Sequence, residues 1–184
     1  MRFNLSKTTQ TPVKREVKDG DDENFTGLLV IHETLGGGHI NASKDGAQIA
    51  WQVRTSRNDS TPVQSEIRVA NISNLPGVAA ATEGSLVLEH TDGLFGGFSF
   101  SPDGDKIVVS KNGNLMIYNL TGSIVAQITF TGSDFNPDWS KHNRIVYDSS
   151  QNGSVDIYMI NPDGSTPSQI TSGDDNDRMP SWSH

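Results

Sequence analysis

Apolar residues in this chain gather in short alternating or β-branched runs. No window of a dozen residues carries the i, i+3, i+4, i+7 spacing of an amphipathic helix uninterrupted by Gly or Pro. The runs are GLLVIHE (27–33), AQIAWQV (47–53), SEIRVAN (65–71), DKIVVS (105–110), NLMIYNL (114–120), SIVAQITF (123–130), RIVYDSS (144–150) and VDIYMIN (155–161). Between them stand KDG, PDG, NGN, QNG and NPDG, turn sequences at hairpin spacing. The pattern predicts an all-β chain.

The runs repeat. HINASKDGAQIAW (39–51), GFSFSPDGDKIVV (97–109) and NPDWSKHNRIVY (136–147) superimpose, and MPSWSH (179–184) begins a fourth copy. The aligned serines Ser43, Ser101, Ser140 and Ser183 are 58, 39 and 43 residues apart, close to the roughly 40–45 residues of a four-stranded propeller blade. The polar insertion RTSRNDSTPVQ (54–64) and a loop near Pro76 lengthen the first interval. Each copy runs through a first turn, an apolar strand, a second turn, a third strand ending in NISN, NLTG or NPDG, and a fourth strand, an antiparallel meander. The Asp and Gly of the first turn have a local purpose: the carboxylate accepts backbone amides two residues on, and Gly accepts a positive φ.

Bulk properties narrow the partners. The formal net charge of −8 gives a field that repels nucleic acid and anionic lipid. No run approaches the roughly 20 apolar residues of a membrane helix. The chain has no cysteine, which removes disulfides, thiolate metal sites and a cysteine nucleophile. Residues 1–25 are polar and charged and read as a flexible N-terminal arm, with the folded segment spanning 26–184. That arm lacks the apolar core of a secretory signal. The sequons at Asn24, Asn41, Asn71 and Asn119 are what a chain rich in Asn, Ser and Thr produces by chance.

SPDGDKIVV with LMIYNLTGSIVAQIT, and RIVYDSSQNGSVDIYMINPDGSTPSQITSGDDNDRMPSWS, resemble the Pro-Asp variant of the tryptophan-aspartate repeat of bacterial TolB-like β-propellers. The resemblance is good over 97–184, fair over 39–90 and absent before about residue 26. SKDG in the first copy lacks the Pro, and SKHN (140–143) lacks the Asp-Gly turn. In such proteins PSWS is the innermost strand of a blade, so at least three further strands are expected after residue 184, and 27–33 reads as the outermost strand of a preceding blade. About three blades with flanking single strands do not close a ring. The expected arrangements are part of a longer six- or seven-bladed protein, a half-ring completed by a second copy, or an open array covered by a partner. The resemblance also implies a periplasmic or extracellular setting, which the N-terminus as it stands does not.

Several residues invite chemistry. The acidic stretch SGDDNDR (172–178) offers the oxygen ligands calcium takes, without EF-hand spacing. The reading taken is a solvated interblade loop in which Asp174 or Asp177 caps backbone amides. His32, His39, His90, His142 and His184 form no HExxH-type pair and are assigned surface or loop roles. His39, at the start of an inner strand, is the one expected to face the channel. LGGGHI (35–40) precedes no helix and is assigned to close packing between blades, like LFGGFS, rather than to phosphate binding. Ser101 and Ser140 are turn serines, and Trp51, Trp139 and Trp182 are core residues, the last two equivalent. No catalytic or metal-binding residue and no cofactor is expected, the alternative being calcium, at the acidic stretch or as a cation in the central channel.

The expected function is a non-enzymatic scaffold binding a protein or peptide at the channel mouth, through Asp134, Asn136, Asp174, Asp175, Asp177, Arg178 and His39. Nucleic acid and membrane insertion are excluded as partners, and a homodimer completing the ring is a further expectation. The alternatives are the propeller part of a carbohydrate-active lyase or of a prolyl-oligopeptidase-type peptidase, or a truncated gene product.

Overall fold

A computed structural model of the chain describes residues 15–16, 28–29, 39–54, 64–72 and 84–182. Two short strands, β1 (Arg15–Glu16) and β2 (Leu28–Leu29), pair antiparallel. The remaining strands build three four-stranded antiparallel sheets, each a meander in chain order. Blade 1 comprises β3 (Ile40–Ala42), β4 (Gln48–Arg54), β5 (Ser65–Asn71) and β6 (Ser85–His90). Blade 2 comprises β7 (Phe98–Phe100), β8 (Lys106–Lys111), β9 (Asn114–Asn119) and β10 (Ile124–Gln127). Blade 3 comprises β11 (Asp134–Trp139), β12 (Ile145–Asn152), β13 (Ser154–Ile160) and β14 (Ser168–Gln169). There is no helix among the described residues, and so none long and apolar enough to cross a membrane. Most of the 1–25 arm and of 27–33, the Gly-rich 35–38 and His32, Ser183 and His184 lie outside the described residues.

Continuous apolar runs mark a sheet buried on both faces. In blade 2, Ile107, Val109 and Tyr118 pack toward Ala50, Ile67, Val69, Val87 and Leu88 of blade 1. The alternate residues Val108, Leu115 and Ile117 pack toward Trp139, Ile145, Tyr147, Tyr158 and Ile160 of blade 3. The third strand and the segment after the fourth are tied by the repeated Gln-Ile-Thr. Thr129 Oγ1 accepts the Leu115 N–H at 2.8 Å, and Thr171 Oγ1 accepts the Ile157 N–H at 2.9 Å. The two isoleucines of that motif differ in burial. Ile128, under blade 3, is 5% exposed, and Ile170, on the last blade, is 54% exposed. Among the described residues nothing covers that side of blade 3.

Each first turn is closed by its serine. The Ser101 N–H donates to Lys106 O at 2.9 Å and the Lys106 N–H donates to Ser101 Oγ at 2.9 Å, while Ser101 Oγ donates to Asp103. Ser43, Gln48 and Asp45 repeat the arrangement without the proline. In the third copy the turn is one residue shorter, joining Ser140 to Arg144, and Asn143, at φ 60°, takes the left-handed conformation that Gly46 and Gly104 adopt elsewhere. Its side chain accepts the Trp139 indole N–H at 3.0 Å, replacing the missing aspartate as the side-chain lock.

Ser101→Ala is therefore expected to destabilise by about 1–3 kcal/mol, the cost of stranding a buried donor. Ser140→Ala, which strands the Arg144 amide and has no aspartate partner, should cost less in the same urea titration. The serine hydroxyls hold the Asp45 and Asp103 carboxyls below the usual aspartate range, and the bonds from Ser165 do the same for Asp163. Native pKa values below the unfolded one of about 3.9 give stability that is present above that pH and lost as pH falls through the native values. Thermal melts should show this loss below about pH 4, with a shallower dependence in Asp103→Asn.

Candidate functional site

At one mouth of the array, equivalent residues ahead of the first turns form a cleft of about 240 Å³. It is lined by His39, Ile40 and Asn41, by Gly97 and Phe98, by Asn136, Pro137 and Asp138, and by Met179, Pro180 and Ser181. Counted back from the first-turn serine, these are positions four to two of all four repeats, with Ser99 alone missing from the lining. The backbone there is set by a shared device: Gly97, Asn136 and Met179, equivalent in the repeat, all have positive φ, of 114°, 49° and 54°. In β11 this is where the register with β12 slips, between Phe135 and Asp138, so the strand bends and Pro137 falls where no ladder donor is needed.

A stitch runs along the cleft floor from blade to blade. The Phe100 N–H donates to Asn41 Oδ1 at 3.2 Å, the Trp139 N–H to Ser99 Oγ at 3.2 Å and the Trp182 N–H to Asp138 Oδ2 at 2.7 Å. Each acceptor occupies the same repeat position and reaches the same amide of the next copy. Trp139 and Trp182 thus share one backbone setting and differ in cover: Trp139 is buried in the blade 2–blade 3 core, whereas Trp182 is only partly buried. Trp51 belongs elsewhere, to β4, with Ile49, Val53 and Ala70.

Asp138 also accepts Ser99 Oγ at 3.0 Å and lies 4.0 Å from Lys44 Nζ. Asp148, buried in β12, anchors two walls at once: its Oδ2 accepts Asn136 Nδ2 at 2.8 Å and the Met179 N–H at 2.9 Å. Close approach of the blades at the rim requires glycine, since a Cβ on Gly96 would meet the Phe135 ring at 2.5 Å and one on Gly97 the Asn136 Cα at 3.0 Å. His39 lies edge-on to the Phe98 ring, and desolvation holds its pKa below the usual histidine value.

Of the residues expected at the channel mouth, the structure brings His39 and Asn136 into the cleft. Asp174, Asp175 and Arg178 are exposed on the segment leading to it. The capping in that loop falls to Asn176, whose Oδ1 accepts the Val155 N–H at 3.0 Å, while Asp177 uses its own N–H on Val155 O. Asp134 is not on a surface loop: it is fully buried at the start of β11, in the repeat position that Phe95 fills one blade earlier. His90 likewise departs from a surface role. It is 1% exposed at the end of β6, with Nε2 3.0 Å from Asn112 Oδ1, Nδ1 2.9 Å from Asp92 and its ring edge-on to Phe95.

Ile40, Phe98, Asp138, Met179 and Asp148 were not singled out from sequence. The signal for the first four was the repeat register, which places them level with His39 and Asn136. No three Asp, Glu or His side chains converge to hold a metal among the described residues. Ser181 and His39, both in the lining, are not hydrogen-bonded to one another. The cleft offers apolar contact from Ile40, Phe98, Met179 and two prolines, beside fixed backbone and amide groups.

No protein-family model matches the chain. A TolB homolog of Chlorobium luteolum is 38% identical over 89 residues, 46% of this chain and 20% of that protein. The TolB structure from Agrobacterium tumefaciens superimposes with a TM-score of 0.60 at 19% identity, over 83% of this chain and 53% of its own. TolB from Acinetobacter baumannii gives 0.59 at 20%, over 79% and 35%. A puromycin hydrolase gives 0.52 at 14%, over 72% and 21%, which is a likeness of fold alone. The chain thus spans at most about half the length of these relatives. Its repeats, blade topology and likenesses agree: the chain has a β-propeller fold similar to that of TolB, with three four-stranded blades among its described residues.

Proposed function

We propose that this chain is a non-enzymatic binding scaffold that holds a protein or peptide segment in the cleft at the head of its inner strands. The observation that carries the reading is the convergence of four successive repeats on one cleft, with walls fixed by the interblade stitch and by Asp148. Preformed concavity with apolar walls and a few oriented polar groups is what ligand sites share. The net charge of −8 argues against a nucleic-acid partner.

The test is selection of phage-displayed peptides on the protein, followed by affinity measurement on Ile40→Arg and Met179→Arg. Both side chains are exposed, at 55% and 72%, so neither change empties the core. Selected peptides should lose at least about tenfold in affinity on each variant, as for an anchor worth about 1.4 kcal/mol. Peptides that bind all three proteins equally would remove the cleft from the reading.

We also propose that a second copy packs on the open side of blade 3, where Ile170 is exposed and its buried counterpart Ile128 shows what a neighbouring blade covers. Sedimentation equilibrium should return twice the 19.9 kDa of the chain. A single species of chain mass across micromolar concentrations would exclude it.

A further inference from the structure

A row of three residues in blade 3 is unlike its counterpart in blade 2. Asp134 on β11 pairs with Ser149 on β12, which pairs with Asp156 on β13, so the three side chains share one face of the sheet. Tyr147 and Tyr158, the next pair on that face, stack on one another and pack against blade 2. All three members of the row are buried: Asp134 at 0%, Ser149 at 0% and Asp156 at 2% exposure. The corresponding row in blade 2 is Phe95, Lys111 and Asn114, with no carboxylate.

These carboxylates lack partners. Both side-chain oxygens of Asp134 and Oδ1 of Asp156 are buried without a hydrogen bond. Asp156 Oδ2 alone is satisfied, by Ser154 Oγ at 3.1 Å and Gln169 Nε2 at 3.1 Å. The main chain of Asp134 is fully used, its N–H on Gly113 O and its carbonyl accepting Ser110 Oγ at 2.6 Å. Among the described residues neither aspartate is in a salt bridge. Two acids buried in an apolar interface without a counter-charge are strongly disfavoured. The groups that donate to Asp156 are neutral, the Ser154 hydroxyl and the Gln169 amide.

We propose that Asp134 and Asp156 bind a hard cation of calcium's size at the junction of blades 2 and 3, with Asp134 supplying both oxygens, Asp156 its Oδ1 and Ser149 a neutral oxygen between them. The donor set is oxygen only, which selects calcium over zinc or copper. Cross-strand neighbours lie about 5 Å apart, so acids on the two flanking strands can reach one ion over the central serine, at the usual 2.3–2.6 Å of calcium–oxygen bonds. Occupancy joins strands of blade 3 at its contact with blade 2 and therefore stabilises the array. The acidic stretch at 174–177 and the cleft supply none of these ligands, and the site does not depend on the function proposed above.

The test is isothermal titration of chelator-treated protein with calcium chloride, alongside thermal melts. The expected result is one calcium per chain and a melting temperature raised by calcium. Both effects should disappear in Asp134→Asn and in Asp156→Asn, each checked for native circular dichroism, and persist in the triple variant Asp174→Asn, Asp175→Asn, Asp177→Asn. Asp156→Asn keeps an amide for Gln169 and Ser154, so it serves as the second variant if Asp134→Asn does not fold. Absence of calcium binding, binding that survives both single variants, or binding lost only in the triple variant would each overturn the proposal.

Discussion

Phe100→Ala is expected to destabilise the protein by about 3–5 kcal/mol, the range for emptying a buried aromatic site. Phe100 lies in β7 at 0% exposure, within the cluster that joins blade 1 to blade 2. Its amide also carries the stitch to Asn41. The cavity would open where two sheets meet, and rigid β-sheets collapse poorly into such a space, so the upper half of the range is expected. Phe130→Ala is the control: that ring is 77% exposed and its loss should change stability by no more than about 0.5 kcal/mol. Urea titrations followed by tryptophan fluorescence measure both, and equal costs for the two would contradict the interblade core.

Gly113→Ala should cost about 2–5 kcal/mol, the sum of a left-handed penalty of about 1–2 kcal/mol and an overpacking cost of about 1–3 kcal/mol. Gly113, in the β8–β9 turn, has φ 69°, and a Cβ there would run into the carbonyl of Gly132. Its own carbonyl accepts the Asp134 N–H at 2.9 Å, so the turn cannot move without loosening the entry to blade 3. Gly46 separates the two contributions. It has the same φ of 69° and nothing within 4 Å of an added Cβ, so Gly46→Ala should show the conformational penalty alone. A cost for Gly113→Ala no larger than that of Gly46→Ala would mean the two turns do not abut.

Part of the cleft was legible in the chain. His39 is legible as the start of an inner strand and Asn136 as part of the loop joining two blades, and the repeat register, carried through all four copies, reaches Ile40, Phe98, Asp138 and Met179. Asp148 was not accessible that way. It is in the second strand, where alternation marks it only as one face of a sheet, and its bonds to Asn136 and Met179 span 12 and 31 residues. Asp134 shows the opposite error. Beside Gly132 and Ser133 an aspartate looks like a loop residue, but it sits where Phe95 sits one blade earlier and is enclosed by the sheet in front.

What the amino-acid order determined by itself was the strands, their meander and the turns that join them. These depend on neighbours a few residues apart: the alternation of Ile, Val and Tyr, the serine that closes on its own turn, the residue that must accept positive φ. Only the tertiary structure decided which of two equal positions is covered, as with Ile128 and Ile170, and which separate strand ends converge on one cleft. Burial is set by whatever packs from another blade, some 40 residues away, and no local pattern carries that information.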